Sequence, residues 1–138
     1  MTAKRRALVT GGSRGIGRCI AETLAREGCD VGFFYHGDAD EAGPVIAGIE
    51  KLGRKGWSRV GDVRDSRQVN HAVESLVAQW GGIDVLVNNA GIVRDQVIWK
   101  MTDDEWRDVL DVDLTGMFHC CRAVVPAMRK SGWGAIVN

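Results

Sequence analysis

The residues with the most chemistry per position lie close to the N-terminus. Thr10-Gly11-Gly12-Ser13-Arg14-Gly15-Ile16-Gly17 falls between a short apolar run and a helical pattern. In that position, free backbone N–H groups and the positive end of a helix can receive the diphosphate of a dinucleotide. Gly11 permits a sharp turn, Gly15 lets a ligand approach the backbone without a Cβ in the way, and Gly17 lets the helix pack closely on a sheet. A glycine-rich loop with no ligand is the plain alternative, and the strand before and helix after tell against it. A nucleotide-hydrolysing loop would end in Gly-Lys-Ser or Gly-Lys-Thr, whereas Gly17 is followed by Arg18-Cys19.

The same region bears on which dinucleotide is expected. A site for NAD places an acid at the end of the second strand, about 20 residues past the glycines, to hold the ribose 2′-hydroxyl. Here that strand tip reads Phe34-Tyr35-His36, with no carboxylate. Arg14 can meet a 2′-phosphate in a bidentate contact, with His36 beside it. NADPH is therefore the expected cofactor, and Asp38, slightly further along, is the residue that speaks for NADH.

Other chemistries find little support. Cys19, Cys29, Cys120 and Cys121 form no C-x-x-C pair, and His36, His71 and His119 are scattered. No metal is expected, and the cysteines read as small buried hydrophobes. Acidic and basic residues balance at 18 each, so no net field points to nucleic acid or anionic lipid. Lys4-Arg5-Arg6 reads as a solvated lead-in to a strand. The five tryptophans have no basic stripe beside them and read as core or helix-interface residues. No apolar run approaches the ~18 residues of a membrane helix, and the start lacks a signal-peptide core. A soluble, cytoplasmic protein is expected.

The positioning elements follow from the apolar periodicity of these 138 residues. Ala7 to Val9, Val31 to Tyr35, a weaker stretch at Trp57 to Val60, and Ile83 to Val87 read as strands. Val85-Leu86-Val87, apolar at consecutive positions, implies burial on both faces, as in a parallel sheet. Between them lie helical stripes: Ile16, Cys19, Ile20 and Leu24; Val45, Ile46, Ile49 and Leu52; and Val69 through Trp80, with Asp65 or Ser66 as N-cap. Thr102-x-x-Glu105 is a capping box opening a long helix with Trp106, Val109, Leu110, Met117, Phe118 and Cys121 on its stripe. Pro126 is expected to kink or end that helix. Gly28, Gly53 and Gly81-Gly82 suit helix C-caps. Gly134 to Asn138 begins a fifth strand. The alternation predicts an α/β, Rossmann-like, doubly wound parallel sheet that stops within its fifth strand. Asp113 shares the spacing of Trp106, Leu110 and Met117. A carboxylate buried there needs a raised pKa or a bound water, and the alternative is a rotated helix that leaves it solvated beside Asp111.

Thr10-Gly11-x-x-x-Gly15-x-Gly17, then Gly61-Asp62-Val63, then Asn88-Asn89-Ala90-Gly91, in that order and spacing, resemble the short-chain dehydrogenase/reductases. Gly91-Ile92-x-Arg94-Asp95, Lys100-Met101-Thr102 and Gly132-Trp133-Gly134-x-Ile136-Val137-Asn138 look most like the 3-oxoacyl-acyl-carrier-protein and acetoacetyl-CoA reductases of that family. The resemblance implies that Gly11, Ser13, Arg14 and Ile16 line the phosphates, and that Asp62 bonds the adenine amino group with Val63 against the ring. It further implies that Asn89, Ala90 and Gly91 pass along the adenosine-side ribose and central cofactor. The implied activity is reduction of a ketone by NADPH, the ketone being a small molecule or a 3-ketoacyl thioester.

Two departures from the family pattern matter. The family's catalytic serine and Tyr-x-x-x-Lys lie past the point where this sequence stops. Residues 1–138 are thus expected to be the dinucleotide-binding portion of a single-domain reductase, inactive alone. Asp113 also stands where the family carries a helix asparagine, and the resemblance makes it the one candidate catalytic residue, holding a relay water. Arg94 and Asp95 border the substrate mouth or form a surface ion pair. The full-length protein is expected to be a homo-oligomer, a tetramer. A non-catalytic nucleotide-binding or sensor protein of the same fold is the alternative, and an incomplete, poorly folding chain is a third.

Overall fold

The computed structural model describes residues 4–138. Five strands form one sheet: β1 (Arg6–Thr10), β2 (Asp30–Tyr35), β3 (Gly56–Val60), β4 (Val85–Val87) and β5 (Ala135–Val137), in spatial order β3-β2-β1-β4-β5. Every neighbouring pair is parallel. The helices are α1 (Gly15–Arg26), α2 (Ala42–Lys51), α3 (Ser66–Trp80), α4 (Asp103–Leu110) and α5 (Gly116–Ser131), with a 3-10 turn at Ala39–Glu41 and a π-helical turn at Asp111–Thr115 between α4 and α5.

Alternate residues of each central strand feed opposite faces of the sheet. Leu8, Phe34 and Leu86 join Val73, Leu76, Val124 and Met128 of α3 and α5 on one side. Ala7, Val9, Val31, Phe33 and Val87 join Ala21, Val45 and Ile49 of α1 and α2 on the other. This is the Rossmann-like α/β architecture, with helices on both faces. The six residues of β2 are all buried, whereas β3, at the sheet edge, is only half-buried, which is why its apolar signal is weak.

Capping chemistry sets several boundaries. The Asp65 side chain accepts the Arg67 and Gln68 N–H groups at the start of α3. Thr102 and Glu105 form the reciprocal capping box of α4. Gly28, Gly53 and Gly81 all adopt positive φ past helix ends, a conformation costly to any residue with a Cβ.

The structure corrects four expectations from the sequence and narrows a fifth. The buried line of α1 is Gly17, Ala21 and Ala25, with Ile16 76% exposed and Cys19 also outside the core. Close approach to the sheet selects small residues there, so bulk is a poor guide to the packed face. In the α4–α5 region the buried line is Val112, Gly116, Cys120, Val124 and Met128, while Trp106, Leu110 and Phe118 are exposed. The intervening π turn adds a residue and shifts the register, so a constant helical period misassigns the face. Of the two outcomes expected at Pro126, a kink or an end, the end is excluded, since α5 continues to Ser131. Ile83 and Asp84 precede β4, though both are buried. Of the tryptophans, Trp57 and Trp80 pack on the core, but Trp99, Trp106 and Trp133 are exposed, and Arg5 stacks on the Trp133 ring at 4.3 Å.

Candidate functional site

The sheet order reverses at β1, with β2 on one side and β4 on the other. Open α/β sheets bind ligands at the carboxyl ends of the strands flanking such a point. Thr10, the last residue of β1, is 2% exposed. Its hydroxyl oxygen accepts the N–H groups of Asn89 (3.1 Å) and Ala90 (2.9 Å). The Asn89 side-chain amide donates back to the carbonyls of Thr10 (3.0 Å) and Gly11 (3.3 Å). On the other flank, Gly11 N–H donates to the Phe34 carbonyl at 2.7 Å. The glycine loop is thereby fixed to both neighbouring strand ends.

A cleft of about 500 Å³ opens above these strand ends. Its first wall is the loop itself and the start of α1, with Ser13, Arg14, Gly15, Ile16 and Gly17 facing the space. Arg14 occupies the N-cap of α1 but makes no side-chain cap bond, so the first-turn N–H groups have no capping side chain, the condition an anion site requires. A Cβ at Gly15 would meet no protein atom within 4 Å, although its φ of +54° strains any other residue. A Cβ at Gly17 would drive into the Gly11 carbonyl and the Asn89 amide. The emptiness at Gly15 is a space a diphosphate can fill. Gly12 backs onto the sheet instead, where a Cβ would collide with Phe33 beneath the loop.

The second wall carries Tyr35 and His36 from the tip of β2 and Asp62, Val63 and Arg64 following β3. Asp62 accepts the Arg64 backbone N–H at 2.9 Å and its guanidinium at 2.6 Å. The Arg64 hydrogen bond holds the Asp62 carboxyl below the usual carboxylate range despite partial burial, so it is ionised at neutral pH and can accept from an amino group. Val63 presses on Gly116, where a Cβ would come within 2.6 Å of its side chain. Its carbonyl is bonded to His119 Nδ1 at 2.9 Å. Asp38 is exposed and its side chain makes no cap bond.

The third wall is Asn89, Ala90, Gly91 and Ile92, with Arg94 at the rim. Asp113 lies behind this wall rather than in the cleft. Its Oδ1 accepts the Ile92 N–H at 2.9 Å, and a Cβ on Gly91 would sit 3.4 Å from it. It is half-buried. It is neither isolated on an apolar stripe nor solvated with Asp111, because the π turn aims it at the Gly91–Ile92 backbone. Arg94 pairs loosely with Asp108 at 3.7 Å, not with its neighbour Asp95. Cys120, in contrast, is inert core: burial pushes its thiol up to about 12.

Two residues near the cleft were not marked by the sequence patterns. Arg64 could have been found from its spacing, since Asp-x-Arg permits the Asx turn that it forms. Glu41, whose carboxylate accepts the Ser13 hydroxyl at 2.9 Å, carries no local sequence signal.

A parallel sheet with helices on both faces and a glycine-lined cleft at its switch point defines an α/β protein of Rossmann-like architecture. The model of the short chain dehydrogenase family matches residues 5–138. The chain belongs to the short-chain dehydrogenase family. It is 43% identical over 132 residues to the 3-oxoacyl-acyl-carrier-protein reductase FabG of Staphylococcus epidermidis (strain RP62A), covering 96% of this chain and 54% of that protein. To the FabG of Escherichia coli K12 it is 41% identical, covering 96% and 52%. The chain thus spans about half the length of these curated relatives. Among solved structures, a protein assigned as a short-chain alcohol dehydrogenase from Sinorhizobium meliloti 1021 superposes with a TM-score of 0.91 at 36% identity, covering 97% of this chain and 53% of that one. A doubly substituted mutant of a Serratia marcescens short-chain dehydrogenase/reductase gives 0.86 at 32% identity, covering 89% and 50%. No described helix is long and apolar enough to cross a membrane.

Proposed function

We propose that the chain is the nucleotide-binding portion of a cytoplasmic, NADPH-dependent reductase that converts a 3-ketoacyl thioester to the 3-hydroxyacyl form. The observation that carries this reading is the cleft with an uncapped helix start and open space at Gly15. The relatives' names supply the substrate class. Bound NADPH supplies the hydride. The chain's own residues do the holding: first-turn N–H groups and Gly15 meet the diphosphate, Asp62 accepts the adenine amino group, and Arg14 with His36 takes the 2′-phosphate. Asn89 keeps the loop and the third wall in register.

Titrating this chain with NADPH and NADH tests the reading through the change in nicotinamide fluorescence. Saturable binding, tighter for NADPH, is expected, and no response to either dinucleotide overturns it.

Asp113 has a positioning role in this proposal. It fastens the Gly91–Ile92 backbone through one oxygen and leaves the other for a water. In the full-length reductase, Asp113→Asn removes a charge while keeping an acceptor for Ile92. A shifted pH–rate profile is expected, and an unmoved profile ends the water-holding role. A second copy of the chain is proposed to cover the apolar face formed by Trp106, Leu110, Leu114 and Phe118, all exposed.

A further inference from the structure

The tip of β2 ends without an acid in sequence, but the fold returns one to it. Glu41 closes the 3-10 turn after β2 and occupies the N-cap position of α2, yet its side chain makes no cap bond to that helix. It reaches instead across to the glycine loop, where Oε2 accepts the hydroxyl of Ser13 at 2.9 Å. The same oxygen lies against the Gly37 backbone, 3.2 Å from where a Cβ would stand. Ser13 is 5% exposed and lines the cleft beside Arg14 and His36. A half-buried carboxylate is therefore held directly behind the part of the wall assigned to the 2′ position of the ribose.

The hydrogen-bond count at Ser13 has a chemical consequence. A serine hydroxyl has one proton and two lone pairs. With the proton donated to Glu41, the oxygen can only accept from the cleft. A ribose 2′-hydroxyl offers a proton and suits that acceptor. A 2′-phosphate brings only acceptors and negative charge. To donate to it, Ser13 must turn its proton away from Glu41, leaving a bare carboxylate close to a dianion. Tyr35 adjoins the same carboxylate: burial first, then the Glu41 charge, raises its phenol above the ordinary value.

We propose that Glu41 is a specificity-determining residue that acts through Ser13, favouring a 2′-hydroxyl and opposing a 2′-phosphate. Arg14 and His36 pull toward NADPH, and Glu41 moderates that pull, so the chain retains measurable affinity for NADH. The inference rests on the reading of the cleft as a nicotinamide dinucleotide site.

The test measures the dissociation constants of NADPH and NADH, by nicotinamide fluorescence, for the wild-type chain, Glu41→Gln, Glu41→Ala and Asp40→Asn. Both Glu41 variants are expected to raise the NADPH preference about tenfold, chiefly by tightening NADPH, as removal of one charge near a dianion requires. Asp40→Asn, which removes an exposed charge from the same 3-10 turn, is expected to leave the preference within about twofold. An unchanged ratio in the Glu41 variants overturns the inference alone, as does an equal shift in Asp40→Asn, which would assign the effect to the general field of the loop. Failure of the wild type to bind either dinucleotide removes the cofactor reading and the inference with it.

Discussion

Two glycines in the first turn of α1 lack a side chain for opposite reasons. At Gly17 the missing Cβ makes room for protein, since any Cβ would meet the Gly11 carbonyl and the Asn89 amide. At Gly15 it leaves open space. Gly17→Ala should therefore damage the fold, by about 3 kcal/mol or more in urea unfolding, because the crowding is against backbone that cannot yield. Gly15→Ala should cost only about 1 kcal/mol for its left-handed φ but weaken NADPH binding at least about tenfold. If Gly15→Ala binds NADPH as well as wild type does, the loop is not the diphosphate cradle. At this scale the glycine spacing was legible in the sequence as a local constraint, and Asp62 and the Asn89-Ala90-Gly91 run only through the family resemblance. Gly12 was not, since nothing in a string of glycines says which one backs onto Phe33. Neither was Glu41, whose partner Ser13 lies 28 residues away and meets it only after folding.

Among the elements, the strands buried on both faces were readable because their central residues are apolar at consecutive positions. The edge strand β3 and the seam of α1 were less so. Small residues do the packing on α1, and the π turn breaks the period from which the face of α5 would be inferred. The ends of β1 and β4 are joined by a pair that no periodicity reveals. Arg6 donates to Asp84 through its guanidinium at 2.7 Å and through its backbone N–H at 2.8 Å. The Arg6 hydrogen bond holds the Asp84 carboxyl below the usual range, against the opposing effect of burial. A carboxyl lowered in the folded state contributes stability that is fully present above its unfolded value of about 3.9 and is lost as pH falls through the folded value. Stability measured by urea midpoint should therefore fall as pH drops below about 4, and Asp84→Asn should flatten part of that slope. Asp30, bonded to Arg54 and also held low, accounts for a further part. An Asp84→Asn slope identical to that of wild type would show that the pair adds nothing to acid sensitivity.

Over the whole molecule, helices cover both faces of the sheet and yet one helical face is left apolar. Trp106, Leu110, Leu114 and Phe118 line the outer side of the α4–α5 region at 56%, 36%, 60% and 54% exposure. Covered by a second copy, this face gives concentration-dependent association in sedimentation. Leu114→Glu combined with Phe118→Glu should then shift the population to monomer, and sedimentation unaffected by the double change would remove this face as the contact. The parallel order of the sheet also has a consequence for synthesis. β1 is made first, but its second flank is closed only by β4, whose lead-in residue Asp84 stands 78 positions beyond Arg6. On the ribosome, the nascent chain carries the glycine loop long before Asn89 and Ala90 emerge to bond Thr10. Until they do, the loop is tethered on one side only, so this wall of the cleft can be completed only after residues 89 and 90 have been made.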